Sequence, residues 1–315
     1  MEKSSDQPSW VTRVPLPLWV LVCAVLWGSA FPMIKLAFAH WAERGVEIDF
    51  GLRSLFAGAR FFLAGGALLL LANRPGAEWR ATPKRWIAAM AATQTVGQYV
   101  CFYLGLALAG GALASLLVSS GSFWWMLLAP WILKTARPTT RHWAVLAVGA
   151  VGLTLAVYSP GDAGSHPRIG AGLILAANAF GALGLISFQF VGKTMGSRAG
   201  TGWSLFLGGV VLVFLGMQAW PQALHLFDGT ILAITVWLAF VSASAFALWN
   251  WLSTLFPVHL LATYRFMVPL CGMVESLLLI EGERITPLMG VGAILVVGAM
   301  IVAQREKARG RFRAG

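Results

Sequence analysis

Ten apolar runs, each close to the ~20 residues a helix needs to cross a bilayer, dictate what this chain can fold into. They cover residues 17–39, 52–73, 85–108, 112–133, 142–158, 169–192, 202–220, 230–254, 258–280 and 287–303. The chain is 58% hydrophobic and only 11% charged, where an average soluble domain carries about 25% charged residues. Its mean hydropathy is +0.75. A soluble core of this length needs no such apolar surface, so the expected fold class is an all-α polytopic membrane protein of ten transmembrane helices. The net charge of +11 does not point to nucleic acid. The basic residues lie in short gaps between apolar runs and build no patch on a soluble surface.

The same gaps give an orientation. With the N-terminus inside, sixteen Lys and Arg fall in cytoplasmic segments and four, Arg44, Arg53, Arg168 and Arg284, in outer ones. By the positive-inside rule both ends face the cytoplasm, in an inner or cell membrane. The polar head 1–13 carries no cleavable leader pattern, so insertion is expected through the first run. The fifteen tryptophans suit the two interfacial belts, and Cys23, Cys101 and Cys271, all within apolar runs, are expected as small packing residues. The gap Trp41–Gly51 has room for a short surface helix.

The chain also repeats itself. Ala136-Arg137-Pro138-Thr139 followed by a Gly/Ala/Val-rich run resembles Glu283-Arg284-Ile285-Thr286 followed by another, about half a chain later. If residues 1–160 and 161–315 each hold five spans, an odd number, the second unit enters the membrane from the opposite side. That arrangement is an inverted repeat, with a solute site expected near the midplane between the halves.

The ninth run is the least ordinary. Arg265, Pro269 and Glu275 interrupt it, and a charge at the bilayer centre costs at least ~2.5–3.5 kcal/mol. Pro269 frees a carbonyl one turn earlier and kinks its helix. Arg265 and Glu275 are ten residues apart, about 15 Å along a helix, too far to pair. Glu275 is the only carboxylate deep in any run. It is therefore read as a proton-coupling group or part of a solute site, with structural pairing to Arg60 as the rival reading. Arg60 lies near mid-depth in the second run and must face protein or water. Lys35 lies near the outer end of the first run and can snorkel.

Polar and aromatic residues collect on the central runs: Gln94, Gln98, Tyr99 and Tyr103 on the third, Ser119 and Trp124 on the fourth, Trp249 and Asn250 on the eighth, and Tyr264 beside Arg265 on the ninth. Gln94 and Gln98 share a helix face. Amides are unfavourable against lipid and point into the bundle. Together these residues suit a pocket for a small amphipathic solute. For each one separately, helix–helix hydrogen bonding is the competing reading.

Several of these features, in this order, resemble the EamA-type carriers of the drug/metabolite transporter superfamily. The stretches concerned are Leu26-Trp27-Gly28-Ser29-Ala30-Phe31 with Lys35, Arg60-Phe61-Phe62, Ala112–Leu117, and Pro269 followed by Gly282-Glu283-Arg284. The first half departs from that pattern, with Lys134-Thr135-Ala136-Arg137 in place of a Gly-Glu pair. The resemblance implies ten helices, a central cavity and export or exchange of small metabolites, often amino acids or related compounds, by alternating access. The partners expected are a small-molecule solute, membrane lipid and protons. No cofactor, metal or nucleic acid is expected. The alternative is a membrane-embedded enzyme or lipid-handling protein. Against it, the five histidines all fall at run ends or in gaps, with no nucleophile–base or metal-ligand pairing at depth.

Overall fold

The computed structural model describes residues 15–105, 108, 117, 120–157, 165–279 and 287–313. Among them every regular element is helical. In chain order these are α1 (Leu16–Glu43), α2 (Phe50–Leu70), the short α3 (Pro75–Ala81) and α4 (Lys84–Met90), then α5 (Ser120–Leu133), α6 (Thr140–Val157), α7 (Pro167–Val191), α8 (Ser197–Leu215), α9 (Gly229–Leu255), α10 (Val258–Tyr264), α11 (Met267–Leu279) and α12 (Pro287–Arg313). Past Met90 the α4 rod continues through a π-helical turn, Ala91–Gly97, into helical residues 98–105. A 3₁₀ segment, Met217–Phe227, follows α8. Helix occurs in each of the ten apolar runs. Among the described residues, five helices, α1, α2, α7, α8 and α9, are long and apolar enough to cross a membrane. The chain is a polytopic helical membrane protein.

Local chemistry sets the boundaries. Proline at the first turn starts α1, α3 and α7, where its missing N–H is no loss and its fixed φ suits a helix. The Asp49 carboxylate accepts from Leu52 N at 2.7 Å and caps α2. The first outer gap, for which the sequence left a short surface helix open, holds none: α1 runs on to Glu43, and the chain turns at Gly45, whose φ of +69° favours glycine. Pro269 breaks the ninth run as the sequence predicts. Its ring crowds the carbonyl four residues back, that of Arg265, and α10 ends at Tyr264 with a turn at Arg265–Phe266 before α11 begins.

The tightest packing joins α2 to α8. Gly51, Gly58 and Gly65 recur every seven residues on α2, and Gly202, Gly209 and Gly216 do so along α8 and at its end. The two rows run antiparallel in register. A Cβ on Gly58 would lie 2.7 Å from the Val213 nitrogen and 3.0 Å from the Gly209 carbonyl, and one on Gly209 would lie 3.0 Å from the Gly58 carbonyl. At the two ends Gly65 meets the Gly202 carbonyl and Gly216 meets that of Gly51. Small residues let membrane helices approach backbone to backbone. Gly66, next in sequence to Gly65, points to open space.

A second antiparallel pair, α6 and α12, meets at Gly152, where a Cβ would lie 2.8 Å from the Gly292 carbonyl. Two further sets pack alike: α1 against α9 and α11, and α7 against the α4 rod and α5. The tryptophans divide between the surface and the core. Trp131 and Trp220 are exposed, whereas Trp41, Trp125 and Trp249 are fully buried, because ring-on-ring packing in the bundle competes with the interfacial position. Cys23 is buried, Cys101 and Cys271 are half-buried, and all three are free thiols.

Candidate functional site

An aromatic string crosses the middle of the bundle. Trp125 of α5 neighbours Trp249 of α9 (ring centroids 6.5 Å apart), which packs on Trp27 of α1 at 5.6 Å. Trp27 meets Phe246 edge-on at 5.1 Å, Phe246 meets Phe61 of α2, and Phe61 meets Tyr99 of the α4 rod at 4.6 Å. Tyr103 lies one turn beyond, 6.1 Å from Tyr99. Edge-to-face geometry recurs along this line, the arrangement ring quadrupoles favour.

One guanidinium group lies against Tyr99, and a second enters the bundle from the break in the ninth run. Arg60, only 4% exposed, lies over the Phe61 ring at 4.3 Å and the Tyr99 ring at 5.1 Å, a desolvated cation–π contact. Arg265 comes from the break in the ninth run. Its Nη1 also borders a notch at Gly121 of α5, where the Oδ1 of Asn178 on α7 sits 2.9 Å from the position a Cβ would take. Buried polar atoms are normally hydrogen-bonded. Among the described residues, Arg60 Nε, Arg265 Nη1, Tyr103 Oη and Gln94 Oε1 are buried and have no hydrogen-bond partner. No ion pair joins Arg60 or Arg265 to Glu275 among the described residues, and one Glu275 carboxylate oxygen is likewise buried and unpartnered.

The remaining sequence candidates fall into two groups. Gln94, Asn250 and Thr201 form a polar link across three helices: Gln94 Nε2 donates to Asn250 Oδ1 at 3.4 Å, and Asn250 Nδ2 donates to Thr201 Oγ1 at 2.9 Å. With Trp249 and Tyr264 they are fully buried. Gln98, Tyr99, Trp124, Arg265 and Glu275 keep part of their surface accessible. The two glutamines seat on α7 glycines, Gln94 against Gly184 and Gln98 against Gly181, so they share a face as predicted although Gln94 lies within the π-helical turn and Gln98 just past it. Lys35 is exposed near the end of α1, as a snorkelling lysine would be. Ser119 lies outside the described residues.

The sequence reading missed three participants. Thr201 and Asn178 were hidden because single polar residues in apolar runs are common. Phe246 was hidden among nineteen phenylalanines. The signal that marks Asn178 is its place opposite a glycine, Gly121, which sequence alone does not pair with it.

Each end of the bundle has its own ties. On the side predicted to face outward, the Asp228 carboxylate caps α9 through Thr230 N and Ile231 N, receives Arg44 Nη1 at 3.0 Å and meets His40 Nε2 at 2.8 Å. Partial burial pushes this carboxyl up, but the Ile231 and Thr230 N–H groups and the Arg44 and His40 charges outweigh it and hold it below the ordinary aspartate range. On the opposite side α3 docks on the α7–α8 connection. Glu78 Oε2 accepts from Gly196 N at 2.7 Å, Thr82 and Thr194 hydroxyls meet at 2.9 Å, and Arg198 Nη1 donates to the Leu71 carbonyl at 3.2 Å.

No protein-family model matches the chain. Over 252 residues the chain is 27% identical to Protein PecM of Dickeya dadantii (strain 3937), covering 76% of this chain and 79% of that one. A solved crystal structure superposes with a TM-score of 0.72 at 16% identity, covering 91% of this chain and 96% of its own. The latter match establishes that the fold is one already seen in another protein.

Proposed function

We propose that this chain is a secondary carrier of the drug/metabolite transporter type. It exports or exchanges a small organic solute by alternating access between two inverted five-helix halves, with both termini cytoplasmic. The observation that carries the reading is Arg265 at a helix break, its guanidinium partly unpartnered within a polytopic bundle. Carriers place solute sites at interrupted helices near the midplane, because only there does freed backbone face protein or water instead of lipid.

The packing supports the two-half arrangement. The three-glycine row of α2 recurs on α8 at a common offset of 151 residues (202 minus 51). Exchange of the halves maps the α2–α8 contact onto itself and α6–α12 onto itself. It turns the contacts of α1 with α9 and α11 into those of α7 with the α4 rod and α5. A contact pattern that survives this exchange suits halves that rock about shared helices. The similarity to Protein PecM accords with this reading. In it, Gln98, Tyr99, Trp124, Arg60 and Arg265 contact solute, Gln94, Asn250, Trp249, Tyr264 and Tyr103 form the wall behind them, and Glu275 exchanges a proton.

The test is efflux from proteoliposomes loaded with a defined mixture of amino acids, organic acids and amines, read by mass spectrometry. At least one solute should leave faster than from protein-free vesicles, and Arg265→Ala should abolish the difference. Identical efflux of every solute with and without protein would contradict the proposal.

A further inference from the structure

One corner of the bundle, where α3 and α4 meet the α7–α8 connection, gathers positive charge without cancelling it. Residues 71–86 and 192–198 carry six cations, Arg74, Arg80, Lys84, Arg85, Lys193 and Arg198, against one carboxylate, Glu78. The Oε2 of Glu78 accepts from Gly196 N at 2.7 Å. No ion pair among the described residues holds Lys84, Arg85 or Lys193. Each rests on a ring instead. Lys84 Nζ lies 5.2 Å from the Trp79 centroid, Arg85 Cζ 5.4 Å from that of Trp86, and Lys193 Nζ 5.2 Å from that of Phe190. These rings stack between helices: Trp86 of α4 lies flat on Phe190 of α7 at 4.1 Å, and Trp79 of α3 packs on Trp203 of α8 at 4.3 Å. A ring under a cation fixes its position but leaves its full charge in place. Lys84 also donates to the Trp79 and Thr82 carbonyls, which orients the amine without neutralising it. A groove of about 570 Å³ opens at the same corner, lined by Asn73, Arg74, Ala77, Glu78, Ala81 and Thr194.

We infer that this corner seats the headgroup of an acidic phospholipid, with Lys84, Arg85 and Lys193 meeting its negative charge. The source is a lipid and not a free anion because of what adjoins the cations. Leu70 and Leu71, at the end of α2, are 88% and 66% exposed, and Arg198 Nη1 donates to the Leu71 carbonyl. The cations thus stand at the rim of apolar surface that acyl chains cover, the level where tryptophan and basic side chains anchor a helix. A phospholipid gains charge and apolar contact there, and an inorganic anion gains charge alone. On the orientation read from the sequence the leaflet is the cytoplasmic one, whose anionic lipids attract basic segments beside membrane helices. The α5–α6 connection makes a useful contrast. Arg137 rests on Trp131 at 4.5 Å, but among the described residues Trp131 stacks on no ring of another helix. The seat also coincides with a join, since Glu78 to Gly196 and Thr82 to Thr194 tie the same elements together. A headgroup spanning Arg85 and Lys193 adds to that join, whatever solute the protein moves.

The test is native mass spectrometry of the purified full chain, delipidated in a neutral detergent. It is titrated with palmitoyl-oleoyl phosphatidylglycerol or with phosphatidylcholine of the same acyl chains. The wild type should bind phosphatidylglycerol about tenfold more tightly than phosphatidylcholine. Arg85→Gln combined with Lys193→Gln should remove most of that preference. Lys134→Gln combined with Arg137→Gln, an equal loss of charge at the α5–α6 connection, should keep it. Lys193→Gln alone, on an exposed connection, should lower it several-fold. A melting temperature in detergent equal to that of the wild type identifies the folded variants. Equal binding of the two lipids, or an equal loss of preference in both double variants, would overturn the inference. So would complete displacement of phosphatidylglycerol by an equal concentration of inorganic phosphate, which would make the site one for free anions.

Discussion

The α2–α8 contact and the α10–α11 break solve opposite problems with the same apolar material. Along α2 and α8 three glycine pairs bring backbones together, and a single added methyl has nowhere to go. At the break, Pro269 disrupts the ladder, Arg265 is delivered sideways into the bundle, and polar atoms remain unpartnered. One region is closed by backbone contact, while the other is a break that delivers a charged side chain into the bundle. That contrast in packing separates the scaffold from the candidate site without reference to any relative.

That contrast can be broken at several points. The largest effect should come from Gly58→Leu, which forces side-chain atoms into the Val213 backbone. Overpacking of this kind costs ~1–3 kcal/mol or more, and the variant should lose most of its folded yield in a detergent thermal-stability assay. A wild-type melting curve would show that α2 and α8 are not packed as described. Next, Arg265→Ala should leave thermal stability within a few degrees of wild type while reducing solute flux to background. A large loss of stability with flux retained in the surviving fraction would make Arg265 a structural residue. Gly181→Ala should then give an intermediate result, since a Cβ there would lie 2.9 Å from Gln98 Oε1. That side chain can shift, so a several-fold change in apparent affinity at unchanged stability is expected.

Glu275→Gln sharpens the comparison instead of breaking it. If this carboxyl exchanges the coupling proton, the variant should still perform solute exchange but lose the dependence of net flux on a pH gradient. Unchanged gradient-driven flux would remove Glu275 from the mechanism. The smallest effect belongs to the outer tie. The Asp228 carboxyl is held below the ordinary aspartate range, so it is more easily ionised in the folded chain than in the unfolded one. Its stabilisation is present above the ordinary aspartate value and fades as pH falls through the lower native one. Asp228→Asn should therefore lower the melting temperature slightly at pH 7, and the gap should close in strong acid. A gap that widens on acidification would contradict the assignment.

Much of the fold was legible from length and hydropathy, because a membrane helix must satisfy its own backbone within one run. The break at Arg265 was legible as well, since Pro269 acts on a known carbonyl. The π-helical turn Ala91–Gly97 was not: nothing in Ala-Ala-Thr-Gln-Thr-Val-Gly punctuates a helix. Of the adjacent glycines Gly65 and Gly66 only Gly65 meets α8, because glycines seven apart stay on one face while neighbours in sequence diverge. For the site, residue types were legible but partnerships were not. Gln94 and Asn250 are 156 residues apart, and only the fold brings them together. It also sets Arg60 over the Phe61 and Tyr99 rings where the sequence offered Glu275 as its partner.

The most direct test of the central claim is two-sided access to position 98. Cys23, Cys101 and Cys271 are first replaced by serine or alanine, and Gln98→Cys is then exposed to a membrane-impermeant maleimide from each side of the membrane in turn. An alternating-access carrier with its site beside Tyr99 predicts labelling from both sides. Labelling from one side alone, or from neither, would contradict it.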